Sequence, residues 1–172
     1  MKQILLMRHA KSSWENPGLE DFDRPLAQRG QDDAPVMGKF IRAAGYKPAI
    51  IISSTAERAR QTAELVSESA QIGDKILWNS NLYYGGGEDY LDAIREADDD
   101  IERVMLVGHN PLMESTATRL CDGGARAAIR MPTAALVCLQ SFADSWSAIS
   151  QGSCQLKWMM IPKVARKLQK EW

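Results

Sequence analysis

Apolar positions along the chain follow two alternating rhythms. Short unbroken runs read as buried strands, and runs with apolar residues three or four apart read as helices packed on one face. Gln3–Arg8 is the first strand, followed by a long polar loop through Pro25. Met37, Phe40, Ile41 and Ala44 then recur at helical spacing, and Gly45 supplies a stop. Ala49–Ile52 is a second, β-branched strand between Pro48 and Ser53. Ser54 with Glu57 three residues on predicts a capping box, opening a helix whose inward stripe is Ala59, Thr62, Ala63 and Val66. Ile76–Trp78 reads as a short strand, Tyr84–Gly87 as a loop, and Glu88–Ala97 as a helix facing inward through Leu91 and Ile94. Asp98–Asp100 is a solvated connection. Arg103–Gly108 is the next buried strand, after which Asn110 and Pro111 predict an N-cap and first turn for a helix carrying Met113, Thr116, Ala117 and Leu120. Ala134–Gln140 and Gln155–Ile161 read as strands, with Trp146–Ile149 a weaker one between them, and Lys163–Lys170 as a basic amphipathic tail. Strands alternating with helices, then strands in succession, predict an α/β domain. Its expected architecture is three α/β/α layers around a mixed, mostly parallel sheet, with 1–172 as one unit.

Charge and composition narrow the class of function. The 172 residues carry 21 Lys+Arg and 22 Asp+Glu, a net charge of −1, which argues against a dedicated nucleic-acid binder. The longest apolar run, Ala134–Leu139, is far below the ~20 residues needed to span a bilayer, and the first residues lack a signal-peptide core. Cys121, Cys138 and Cys154 are dispersed, as suits reduced thiols in a cytoplasmic protein. Oligomeric state is left open by these features.

The chemistry gathers at strand ends. His9 and His109 are the only histidines, and each follows a buried strand; a third strand leads through Ser53-Ser54 to Arg58 in the first turn of a helix. Ligands of open α/β sheets bind outside the carboxyl ends of strands, so Arg8, His9, Arg58 and His109 are expected on one rim. Two guanidiniums, two imidazoles and two helix N-termini favour an anion, and guanidinium forks match a phosphoryl group. No metal set, metal-protease pattern or P-loop is present in the sequence, so no metal or cofactor is expected.

These segments also carry a resemblance. Arg8-His9-Ala10-Lys11-Ser12, then Ser53–Ala63, then Val107-Gly108-His109-Asn110-Pro111 resemble, in order, the three motifs of the histidine phosphatase superfamily, with its phosphoglycerate-mutase-like fold. Asp23-Arg24-Pro25-Leu26 and Met131–Leu136 resemble the compact SixA-type phosphohistidine phosphatases. The resemblance implies that His9 is a nucleophile taking the phosphoryl group onto a ring nitrogen and passing it to water. It implies that Arg8 and Arg58 hold the phosphoryl oxygens, that His109 donates a further hydrogen bond, and that Ser12 is an additional phosphate donor.

The chain departs from the family pattern at two points. Ala10 stands where a glycine usually follows the signature histidine. The acid that larger relatives use to protonate the leaving group has no clear counterpart. Glu88 is the first candidate, with Asp89, Asp21 and Asp23 behind it. A missing acid is tolerable for phosphohistidine, whose imidazole leaves far more readily than an alkoxide. Between Arg58 and His109 there is room for only a strand, a loop and one helix, which implies an open site and a phosphatase in preference to a mutase.

The expected substrate is protein phosphohistidine. A small phosphorylated metabolite, or phosphate recognition without turnover, are the alternatives. Arg24, Arg29 and Arg60 are read as surface or supporting ionic residues, and Gly85-Gly86-Gly87 as a turn. Tyr83 and Tyr84 are read as rim packing, Trp14 as a neighbour of the pocket, and Lys163, Arg166, Lys167 and Lys170 as a solvated face.

Overall fold

The computed structural model describes residues 1–122 and 129–169. Among these, six strands form one sheet: β1 (Gln3–Arg8), β2 (Ile50–Ser54), β3 (Ile76–Asn79), β4 (Arg103–Gly108), β5 (Leu136–Ser141) and β6 (Cys154–Met160). Their spatial order is β3-β2-β4-β1-β5-β6. β1, β2, β3 and β4 are mutually parallel, and β5 pairs antiparallel with both β1 and β6, so the sheet is mixed and mostly parallel, as expected.

Side-chain alternation on the strands divides the core into two faces. Leu5 and Met7 of β1, Ile51 of β2 and Met105 and Val107 of β4 pack with α1 (Gln28–Ala43), α2 (Glu57–Ala70) and α6 (Pro162–Leu168). Ile4, Leu6, Ile52, Val104 and Leu106 face the other way, towards α3 (Asn81–Tyr84), α4 (Gly87–Arg95) and α5 (Leu112–Leu120). The three layers follow directly. No described helix is long and apolar enough to cross a membrane.

Several local expectations are corrected. Ser54 does not cap α2: it ends β2, and the helix starts at Glu57 after Ala56 with no side-chain cap bond. Asn110 is likewise not an N-cap. A cis peptide joins it to Pro111, α5 begins at Leu112, and the Asn110 amide donates to the Met131 carbonyl (3.1 Å). The weaker strand expected over Trp146–Ile149 is a 3₁₀ turn, Trp146–Ala148. Its fully buried indole donates to the Ile101 carbonyl (2.9 Å) and its backbone N–H to Asp99 Oδ1 (2.8 Å), which anchors the segment on the sheet face. Asp99 is therefore bonded to the fold, and Lys2 also pairs with it.

Tyr84 belongs to α3, and α4 starts at Gly87, so the expected glycine turn is reduced to Gly85-Gly86. Gly45 does follow α1 with a φ of +75°, the left-handed stop its position predicts. The basic tail is only partly a solvated face, because Arg166 lies 2.6 Å from the buried carboxylate of Asp33 on α1. Lys170 lies outside the described residues.

Candidate active site

Register brings the three strand ends together. Arg8 at the end of β1 pairs with Gly108 at the end of β4, and Ser53 of β2 pairs with Val107. His9 and His109 therefore emerge side by side, with ring centroids 5.1 Å apart. The His9 backbone N–H donates to the Gly108 carbonyl (2.9 Å), which locks this register one residue past the strand. The next N–H, that of Ala10, donates to Thr62 Oγ1 (3.0 Å), whose hydroxyl donates in turn to the Arg58 carbonyl (2.6 Å). The residue after the histidine is thus tied to the first turn of α2. Ala10 has no exposed surface, so a small residue is required there.

His9 is held as one tautomer. Its Nδ1 lies 2.7 Å from the Ala10 carbonyl, which only accepts, so Nδ1 carries the proton. Nε2 is then the lone-pair nitrogen, and the Arg58 Nε–H points at it from 3.3 Å. Burial, opposed in part by the Ala10 hydrogen bond and reinforced by the charges of Arg58, Arg8 and Arg24, holds the imidazole at a pKa of about 4. It is neutral at physiological pH and presents an unprotonated nitrogen beside a guanidinium.

His109 is also neutral. Burial, then the neighbouring His9 and Arg58, lower its pKa to about 3. Its Nε2 lies 2.8 Å from Ser54 Oγ, and its backbone N–H donates to the hydroxyl of buried Tyr90 (3.0 Å). The role lost by Ser54 as a helix cap is thus replaced by contact with His109.

Arg8 donates from Nη1 to the Met131 carbonyl (2.9 Å), and the Met131 N–H donates to Glu114 Oε1 (2.7 Å), so the loop before β5 steadies this guanidinium. Among the described residues, Arg8 Nε and His109 Nδ1 are buried without a hydrogen-bond partner. Buried polar atoms without partners are rare, and their gathering beside a lone-pair nitrogen is the signature of a site built for an acceptor-rich ligand.

The structure unites Arg8, His9, Arg58 and His109, the four residues expected on one rim, and treats the remaining candidates differently. Ser12 is buried, pairs with Leu26 in an isolated bridge, and accepts from Arg24 Nη2 (2.6 Å). Glu88, expected as a proton donor, has a different setting. It lies in the first turn of α4, where it pairs with Arg119 (2.5 Å) and Arg95 (3.5 Å), and it is bonded to neither histidine.

The carboxylate that does reach the site is Asp21. Its Oδ2 accepts from Arg58 Nη2 and from the Tyr83 hydroxyl, both at 2.9 Å, and its Oδ1 accepts from Arg24 Nη1 (2.7 Å). Burial pushes its pKa up, but the bonds from Tyr83, Arg58 and Arg24 outweigh it and hold the group below the usual carboxylate range. Arg24 is accordingly more than a surface charge: it is buried and stacks on the Trp14 ring with its guanidinium carbon 3.3 Å from the centroid. Tyr83 is more than rim packing, because its ring also lies edge-on to His109 at 5.4 Å. Among the described residues, no group of three or more His, Cys, Asp or Glu is placed to hold a metal ion.

Two histidines and two arginines meeting at the ends of parallel strands define an α/β protein with a cationic rim, and comparison with known proteins gives the family. Residues 4–78 match the histidine phosphatase superfamily (branch 1). A chloroplast protein of Arabidopsis thaliana is 33% identical over 156 residues, covering 84% of this chain and 69% of that protein. SixA from Agrobacterium tumefaciens superposes with a TM-score of 0.77 at 31% identity, covering 94% of this chain and 98% of that one. The protein histidine phosphatase SixA complexed with tungstate has the same fold, with a TM-score of 0.77 at 22% identity over 94% of this chain and 98% of that one. The chain belongs to the histidine phosphatase superfamily, whose members are phosphatases or mutases, and its fold is that of SixA.

Proposed function

We propose that the protein is a metal-independent phosphatase that carries the phosphoryl group covalently on His9 Nε2 and acts on protein phosphohistidine. The observation that carries this reading is the state of His9: Nδ1–H donates to Ala10, and Nε2 is unprotonated beside Arg58. In the first step the Nε2 lone pair forms a bond to phosphorus while the bond to the leaving group breaks, and that group departs with its electron pair. Arg58 and Arg8 hold the phosphoryl oxygens as charge redistributes over them, His109 Nδ1–H donates another bond, and Ser12, buried and accepting from Arg24 Nη2, keeps its hydroxyl proton as a further donor. In the second step water attacks phosphorus, the P–Nε2 bond breaks, its electrons return to His9, and inorganic phosphate leaves. Dividing one displacement into two is the advantage of a nucleophilic histidine.

Three features support phosphohistidine as the substrate. Asp21, the carboxylate bonded within the site, is held ionised by two guanidiniums and a phenol, so it is a poor proton donor. A phosphoramidate tolerates this, because with its distal ring nitrogen protonated from solvent the imidazole leaves as a neutral group, whereas an alkyl ester needs a proton delivered to its oxygen. Trp14, on which Arg24 stacks, and Tyr84, stacked with Phe22, are exposed beside the Asp21 turn and suit contact with a protein surface. The similarity to SixA points the same way. The free thiols Cys121, Cys138 and Cys154 fit a reducing, cytoplasmic setting.

The test is phosphate release from a phosphohistidine peptide and from an aryl phosphate, with wild type and His9→Ala, in chelator. Fast, His9-dependent release from the peptide is expected. Release from the aryl phosphate alone moves the substrate to small phosphorylated molecules. Binding of phosphate without release from either makes the pocket a recognition module.

A further inference from the structure

Arg58 points its Nε–H at the nucleophile, yet two of its five N–H donors are already engaged by one residue, Asp21. Nη1 donates to the Asp21 carbonyl (2.5 Å) and Nη2 to Asp21 Oδ2 (2.9 Å), while Nε points at His9 Nε2 (3.3 Å). The N–H groups on Nε and Nη2 lie along one edge of a guanidinium and point the same way, as the fork that takes two oxygens of a phosphate or carboxylate. In this protein the two acceptors on that edge are the lone-pair nitrogen of the nucleophile and a carboxylate oxygen. A phosphoryl group attacked by Nε2 must bring its own oxygens to the same edge.

We propose that Asp21 is an affinity-setting residue whose carboxylate competes with the phosphoryl group for Arg58, weakening the hold on phosphate and returning to Arg58 as product leaves. The inference rests on the phosphoryl-transfer reading of the pocket. Its mechanical basis is an asymmetry in burial: the side chain of Arg58 is 8% exposed and fixed, whereas that of Asp21 is 52% exposed and has solvent to move into. Asp21 lies on a three-residue 3₁₀ turn, Asp21–Asp23, outside the sheet, and its carboxylate can rotate away while its backbone carbonyl stays on Arg58 Nη1.

Two further contacts bias the turn towards its closed position. The Tyr83 hydroxyl donates to the same Oδ2 that Arg58 binds, and Phe22 packs between Tyr83 (5.0 Å, edge-on) and Tyr84 (5.8 Å, stacked). Arg24 holds Oδ1 and is itself held by Ser12 Oγ and the Ser13 carbonyl. Release of Oδ2 therefore leaves Asp21 tethered through Oδ1, ready to swing back.

The experiment is calorimetric titration of inorganic phosphate into wild type, Asp21→Asn and Tyr83→Phe at pH 7. Asp21→Asn, which removes the competing charge, is expected to bind phosphate about fivefold tighter, the scale of a half-exposed ion pair. Tyr83→Phe changes no charge but frees Oδ2 of one bond, and a smaller tightening of about twofold is expected. A purely structural role for Asp21 predicts weaker binding, and a role only in proton transfer predicts unchanged binding with slower turnover; either result overturns the proposal. So does tightening in Asp21→Asn without any in Tyr83→Phe, which signifies long-range repulsion in place of competition. If wild type and Asp21→Asn both fail to bind phosphate, the phosphoryl-site reading falls as well.

Discussion

The backbone position of His109 depends on one buried hydroxyl, and its removal has a calculable cost. Tyr90 has no exposed surface; its hydroxyl donates to the Leu82 carbonyl (2.9 Å) and accepts from the His109 N–H (3.0 Å). Burial raises its pKa to about 12, so it keeps its proton and both bonds throughout the working range. Tyr90→Phe leaves two buried groups without a partner, and at about 1–3 kcal/mol per group the expected loss is about 3 kcal/mol.

Gly108 is the complement of this hydroxyl. A Cβ there would lie 2.3 Å from Tyr90 Oη, 2.8 Å from Cε1 and 2.9 Å from Cζ, against a ring with nowhere to turn. Gly108→Ala is expected to cost about 2–3 kcal/mol through overpacking and displacement of the hydroxyl. The two costs overlap, because each substitution ends the same pair of bonds, so the double variant is less destabilised than the sum by about 1–2 kcal/mol. Urea unfolding of wild type, both single variants and the double, compared at equal m-value, measures this coupling. Additivity within about 0.5 kcal/mol, or Tyr90→Phe as stable as wild type, refutes the assignment of this hydroxyl as the anchor of His109.

Further expectations concern pH, packing and orientation. With the pKa of His9 lowered from 6.5 to about 4, kcat/KM keeps its neutral nucleophile down to about pH 4, and a pH–rate profile whose acid limb falls near 6.5 contradicts this. Unfolded histidine binds a proton that folded His9 refuses between those values, so stability is full above pH 6.5 and falls on acidification. The loss from His9 is about 3 kcal/mol by pH 4, with His109 adding in the same direction; unfolding that is independent of pH from 7 to 4 contradicts it. Gly30→Ala places a Cβ 2.2 Å from the Lys11 carbonyl, backbone that cannot yield cheaply, and is expected to lower the unfolding free energy by about 2 kcal/mol or more, measured by denaturant titration. Ser54→Ala removes the partner of His109 Nε2 and is expected to lower kcat about tenfold with KM little changed; an unaltered kcat discards the orienting role.

The parts of this protein legible in the sequence are those written in periodic patterns. β1 and β4 are unbroken apolar runs buried on both faces, so the histidines that follow them fall at the same end of the sheet by geometry alone. Misread features arose where a side chain had a tertiary partner stronger than its local one. Ser54 has the spacing of a helix cap, but its hydroxyl lies against His109, 55 residues away. Trp146 has strand-like neighbours, but Asp99 and Ile101 hold it as a turn on the sheet face.

The placement of the expected proton donor is also set by tertiary partners. Glu88 follows the glycine run in sequence, but the first turn of α4 directs it towards Arg95 and Arg119. The arrangement of Asp21, Arg24 and Tyr83 was not legible, because a loop without periodicity, a three-residue 3₁₀ turn and a four-residue helix carry them. The available signals were the family resemblance of Asp23-Arg24-Pro25-Leu26 and the carboxylate of Asp21 two residues before it, which ranked behind Glu88 as a candidate acid.

The central claim is that phosphorus is bonded to His9 Nε2 during turnover, and rapid acid-free quenching with ³²P-labelled phosphohistidine protein tests it most directly. A burst of protein-bound label that is acid-labile and base-stable, maps to His9 and is absent from His9→Ala is the predicted result. Full turnover by His9→Ala, or label carried on another residue, contradicts the account.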